Sequence, residues 1–136
     1  MTVQQEISAY LDECGVFFFG TVDNDAPVIR PIGFQLCKDG QMYFGIGTFK
    51  NVYAQIVANP SVYICAIKPD NSGWIRVAGT AVFDDDPAIL DAAWECMPNM
   101  KPVYESNGWE MGMFHLENAK ATWVKGFMQP VRTEEF

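Results

Sequence analysis

The sequence predicts a mainly β protein with peripheral helices, an antiparallel α+β barrel, on three observations. β-rich segments follow one another in runs and do not alternate strictly with helical ones, which argues against a Rossmann-type parallel sheet. Turn residues separate consecutive runs at hairpin distance, as at Asp23-Asn24-Asp25 and Lys38-Asp39-Gly40. Two runs, Val16 to Phe19 and Val62 to Ile67, are apolar at both parities, so both faces of the sheet must be covered.

Each element follows from a local pattern. Ile7, Tyr10, Leu11 and Cys14 recur at i, i+3, i+4 and i+7 ahead of Gly15, which predicts a helix over Thr2 to Cys14. Strands are expected over Val16 to Val22, Pro27 to Leu36 and Gln41 to Gly45. Gly45-Ile46-Gly47-Thr48 breaks that pattern, and a helix over Asn51 to Ala58 ends at Asn59-Pro60. Ser61 to Lys68 and Trp74 to Phe83 read as the next strands, the second with Gly79 at the position of a bulge. Asp84-Asp85-Asp86-Pro87 starts a helix over Ala88 to Met97. Met111 to Leu116 and Thr122 to Phe127 read as two closing strands joined by a turn at Glu117-Asn118-Ala119. The expectation is about seven strands and two or three helices.

Composition bounds what such a barrel can do. With 136 residues, 49% of them hydrophobic and 19% charged, the whole chain, residues 1–136, reads as one folded domain and not as a disordered segment. The net charge of −8 and the lack of any lysine or arginine run remove the counterion-release term, so neither nucleic acid nor an anionic membrane is an expected partner. Met1 to Glu6 lacks the start of a signal peptide, no apolar run reaches the roughly 20 residues needed to span a bilayer, and a cytoplasmic location is expected. Cys14, Cys37, Cys65 and Cys96 match no metal or redox spacing and read as reduced core residues; no metal site is expected. Both sheet faces being apolar in a short chain, a homodimer with one face in its interface is expected.

Three segments carry candidate chemistry. Arg30 shares its parity with Val28, Ile32 and Phe34, so its guanidinium points to a mainly apolar side, where it either pairs with an acid, snorkels to the rim or meets a ligand. Pro31 removes a ladder donor and fits an edge or a ligand's approach to the backbone. In Gly45-Ile46-Gly47-Thr48-Phe49-Lys50-Asn51 two glycines, a hydroxyl and an ammonium arrive where a helix begins, a combination suited to phosphate, although a solvated lysine beside a glycine turn has the same pattern. Trp74 and Arg76 share a strand face and offer a flat surface beside a cation, or simple packing. His115 is the lone histidine and reads as hydrogen-bonded structure as readily as a functional group. There is no GxSxG and no carboxylate cluster of the glycosidase type, so a cofactor is expected to carry any difficult chemistry.

Taken in order, Arg30-Pro31-Ile32-Gly33-Phe34, Met42-Tyr43-Phe44, Thr48-Phe49-Lys50 with Gln55-Ile56 and Asn59-Pro60, and Trp74-Ile75-Arg76-Val77-Ala78-Gly79 resemble the FMN-binding split-barrel family typified by pyridoxamine 5′-phosphate oxidase. The resemblance is to its short bacterial, nitroimidazole-resistance-type branch, and runs from about Glu6 to Phe83. It implies a six-stranded antiparallel split β-barrel, a homodimer, and FMN at the dimer interface. Arg30, Thr48 and Lys50 would hold the phosphate, with Asn51 and Gln55 in the same motif; Arg30, Pro31 and Ile32, with the loop before Thr48, would border the ribityl chain and isoalloxazine. Trp74 would be a flavin contact, and His115 would cover the ring from the second subunit. The implied activity is FMN-dependent reduction of a small planar or nitroaromatic-type substrate, with NADH or NADPH as electron donor. Two alternatives are a non-catalytic FMN-binding or electron-transfer protein and a split barrel that binds haem or another flat ligand. Oxidation of pyridoxamine phosphate itself is not expected, since Arg132 is the only arginine after Arg76. Met97, Met100, Trp109, Met111 and Met113 suggest an adaptable apolar wall or ordinary packing.

Overall fold

The computed structural model describes residues 1–136. The chain opens with α1 (Val3–Cys14), started by a capping box in which Thr2 Oγ1 accepts from Gln5 N at 3.1 Å and Gln5 Oε1 accepts from Thr2 N at 2.8 Å. Gly15 ends it at φ 84°. The strands β1 (Phe17–Asp23), β2 (Ala26–Ile32), β3 (Gln35–Lys38) and β4 (Gln41–Gly47) follow, then α2 (Asn51–Ala58), β5 (Ser61–Ile67) and β6 (Gly73–Asp84). Two further helices, α3 (Pro87–Cys96) and α4 (Met100–Asn107), precede β7 (Met111–Lys125) and β8 (Gln129–Glu135).

All pairings are antiparallel, in the order β2-β1-β5-β6-β7-β4-β3, with β8 added to β7. The sheet curls around its inner face without closing, a split barrel. Alternation along each strand sends Phe17 and Phe19 of β1, Phe44 of β4 and Phe114 of β7 inward, each at 1% exposure or less. Phe44 and Phe114 are direct cross-strand partners and stack with centroids 5.4 Å apart. Ile7 and Leu11 of α1, and Val52 and Ile56 of α2, belong to the same core.

Four features depart from the sequence-based expectation, and the sheet has eight strands where six or seven were expected. The run Pro27 to Leu36 is two strands, because the chain leaves β1 at Ile32 and pairs next with β4 from Gln35. Met111 to Lys125 is one strand, and Glu117-Asn118-Ala119 is a bulge within it. Ala78 pairs with Lys120 and Thr80 with Glu117, so Gly79 alone faces Asn118 and Ala119. Asn118 takes φ 49°, and a Cβ on Gly79 would lie 3.1 Å from that of Ala119. The bulge lets β7 serve β4 with its first half and β8 with its second. Neither β8 nor α4 was expected: β8 is exposed over most of its length, and α4 is a short helix, polar on average, whose apolar stripe is only Met100, Val103 and Tyr104, of which Tyr104 alone is buried. The cysteines are free, but none is a core residue; Cys37 and Cys96 are exposed, and Cys14 and Cys65 half-buried.

The outer face of the sheet is covered on one side only. There α3 packs Ile89 and Ala93 on Leu36 and Met113. Over β2, β1 and β5 the outer face is bare: Phe18 is 45%, Tyr63 48% and Ile29 67% exposed. Gly20 pairs with both Tyr63 and Ile29 and has no side chain to fill the space between them. No helix is long and apolar enough to cross a membrane.

Candidate functional site

Arg30 pairs with the fully buried Phe19 across β1 and β2, which carries its side chain to the inner face at the mouth of the barrel. The acid partner allowed by the sequence is not there. Its Nη1 donates to Thr21 Oγ1 at 2.8 Å and to the Phe19 carbonyl at 3.2 Å, and its Nη2 donates to Gln55 Oε1 at 2.8 Å. Thr21 Oγ1 donates to the same Gln55 oxygen at 2.6 Å. Every acceptor is neutral. Burial pulls the Arg30 guanidinium down from its ordinary value.

Across a cavity of about 280 Å³ stands Lys50, at the amino-terminal cap of α2. No side chain caps that helix end, so its first amides keep donor capacity beside the ammonium. None of the chain's ion pairs involves Arg30 or Lys50. Gly45, Ile46 and Gly47, at the end of β4, also line the cavity, and the two glycines are packed over by neighbouring side chains. A Cβ on Gly47 would fall 2.4 Å from Phe49 Cε1, and one on Gly45 2.9 Å from the sulfurs of Met111 and Met113. Pro31, Ile32, Gly33 and Phe34 form one wall; Met97, Met100, Tyr104 and Met111 form the other. Three of the methionines singled out by the sequence thus line this space.

The remaining sequence candidates are distributed around it. Thr48 donates to the Glu110 carbonyl through its amide at 2.9 Å and its hydroxyl at 3.3 Å, and faces a second cavity, of about 530 Å³, with Tyr53, Phe83 and Asp84. Met111 borders both cavities. Asn51 is the exposed first residue of α2, and Gln55 reaches the site only through Arg30. Trp74 stands on the face of β6 opposite Ile75 and Val77, with the Arg76 guanidinium 5.7 Å from its ring centroid. His115 lies on the outer face of β7; its Nε2 is 3.0 Å from Glu117 Oε2, its ring meets Tyr43 edge-on, and its buried Nδ1 has no partner. Neither Trp74 nor His115 lines either of these two cavities.

Sequence reasoning missed Thr21 and Tyr104. Thr21 carried a signal, being the one hydroxyl at the inward parity of Phe17 and Phe19. Tyr104 carried a weak one, the i, i+3, i+4 spacing of Met100, Val103 and Tyr104 in a short segment that is polar on average.

A family model described as pyridoxamine 5′-phosphate oxidase matches residues 3–123. No curated protein matches the sequence. Among solved structures, a NimC/NimA family protein from Clostridium acetobutylicum is 25% identical with a TM-score of 0.86, over 98% of this chain and 92% of that one. A pyridoxamine 5′-phosphate oxidase-related, FMN binding protein from Nostoc punctiforme PCC 73102 is 15% identical with a TM-score of 0.68, over 99% of this chain and 90% of that one. A heme binding protein from Mycobacterium smegmatis is 15% identical with a TM-score of 0.65, over 92% of this chain and 53% of that one.

Proposed function

Since the chain belongs to the pyridoxamine 5′-phosphate oxidase family, we propose that it binds FMN and acts as an FMN-dependent oxidoreductase on a small planar or nitroaromatic-type substrate. The observation that carries this reading is the pairing of Arg30 and Lys50 across one cavity with no carboxylate on either. In a chain with 17 acids and 9 lysines and arginines, two cations that share one cavity with no acid in its lining, one of them at the cap of α2, suit a phosphate dianion. The apolar lining from Pro31 to Phe34 and from Met97, Met100 and Met111 suits the rest of the ligand.

Bound FMN supplies hydride chemistry at its N5, and the protein supplies binding, orientation and exclusion of water. In this reading Arg30 and Lys50 hold the phosphate, with the α2 amides beside them. Thr48, whose hydroxyl the Glu110 carbonyl holds at 3.3 Å, and the first-turn amide of Asn51 would be the further phosphate donors. The strand Arg30-Pro31-Ile32 would border the ribityl chain, and Met97, Met100 and Met111 would exclude water. A homodimer formed through the bare outer face brings Trp74 and His115 to the flavin cleft. Residues 1–136 act as one such unit in the cytoplasm, with NADH or NADPH as electron donor.

The absorbance spectrum of the purified protein, followed by turnover, tests the proposal. A flavin spectrum, bleached by NADH or NADPH and restored repeatedly by a nitroaromatic acceptor, is expected. A bound flavin that does not turn over would leave a flavin carrier, and a Soret band would point to haem.

A further inference from the structure

The acceptors chosen for Arg30 have a consequence for what the site selects, and the inference rests on the FMN reading above. Gln55 Oε1 receives two donors, the Arg30 guanidinium at 2.8 Å and the Thr21 hydroxyl at 2.6 Å. Two donors converging on one atom fix it as the amide oxygen. Thr21 is 3% exposed, so the cluster is closed to water on the barrel side. A carboxylate at position 55 would satisfy the same two donors and would also neutralise the guanidinium. Yet this acid-rich chain places an amide there.

We propose that Gln55 is the residue that makes the site selective for a phosphorylated ligand. By holding Arg30 with a neutral oxygen, it aims the guanidinium into the cavity while leaving its charge uncompensated, so that an anionic phosphate ester is favoured over the uncharged ligand of the same shape. Gln55 is a positioning residue: it acts through Arg30 and does not touch the ligand. Thr21 supports it by fixing the amide's orientation.

The test compares FMN with riboflavin, which share the ring and ribityl chain and differ in the phosphate. Each is titrated by flavin fluorescence into the wild type, Gln55→Glu, Gln55→Met and Arg30→Ala. Gln55→Glu is expected to lose FMN affinity by about tenfold to a hundredfold while riboflavin affinity stays within about twofold, because only the phosphate feels the neutralised guanidinium. Gln55→Met, which removes the acceptor and adds no charge, is expected to lose about threefold to tenfold for FMN alone. If circular dichroism shows that Gln55→Glu does not fold, Gln55→Met decides. Equal losses for both ligands, or unchanged FMN binding in the variant that decides, overturn the inference. With FMN bound by the wild type and lost in Arg30→Ala, such a result leaves the FMN reading standing. A wild type that binds neither flavin overturns both.

Discussion

Phe49 stacks on Trp109 with ring centroids 4.2 Å apart and planes 20° from parallel. The contact joins the residue before Lys50 to the segment that leaves α4, and Tyr104 of that helix meets both rings edge-on. The glycine loop and the methionine wall are therefore held together by aromatic packing on the rim of the cavity. Gly47 makes this possible, since a Cβ there would occupy the place of the Phe49 ring. Gly47→Ala is expected to displace Phe49 and cost about 1–3 kcal/mol. Thermal unfolding measures the cost, and tryptophan fluorescence reports the loosened stack.

Removal of the two cations should separate charge from fold. Arg30→Ala and Lys50→Ala are each expected to weaken FMN binding by about tenfold or more, each deleting a charge-assisted hydrogen bond worth roughly 1.5–3 kcal/mol. The double variant is expected to bind FMN no better than riboflavin. Unchanged FMN affinity in the double variant would show the phosphate to lie elsewhere.

The bare outer face predicts assembly. Phe18, Ile29 and Tyr63 surround the space above Gly20, and sedimentation equilibrium at micromolar concentration is expected to give the mass of two chains. Tyr63→Asp, which buries a charge in that contact, is expected to shift the mass to one chain and weaken flavin binding together with it. A monomeric wild type would refute the assignment.

Alkali should act through Tyr10. Burial first, then Cys14, Glu13 and Asp70, push its hydroxyl up to about 12, while Lys68 lies 4.7 Å over its ring. The folded-state value lies above the unfolded one of about 10, so the stabilisation is complete below pH 10 and is lost as pH rises from 10 to about 12. Urea midpoints across that range are expected to fall for the wild type and to fall less for Tyr10→Phe.

Most of the architecture could be read before the structure because strand runs and turn residues signal it locally. The ends of α1 and α2 followed from Gly15 and from Asn59-Pro60. What escaped was non-local. Glu117-Asn118-Ala119 has the residues of a turn, and only pairing with β6 opposite Gly79 makes it a bulge. β8 is stabilised by register with β7 and by the ion pair of Arg132 with Glu6, 126 positions away in the chain, and neither leaves an apolar pattern. At the site, parity placed Arg30 inward correctly. Its neutral partners could not be read, because Thr21 and Gln55 reach it from separate elements, and Gln55 stood in a motif as a ligand contact in its own right.

The prolines of β2 set how copies of this chain can meet. In an antiparallel pair alternate residues turn their amides to the partner, and Pro27 and Pro31 share a parity with Ile29. The β1-facing amides are thus those of Val28, Arg30 and Ile32, and on the free edge of β2 between Pro27 and Pro31 only Ile29 offers a donor. Strand addition along that edge would forfeit alternate rungs, so the β2 edge is a poor template for a further strand. The side-chain face over Gly20 offers another mode, a twofold contact that uses up its own surface and stops growth at a finite particle.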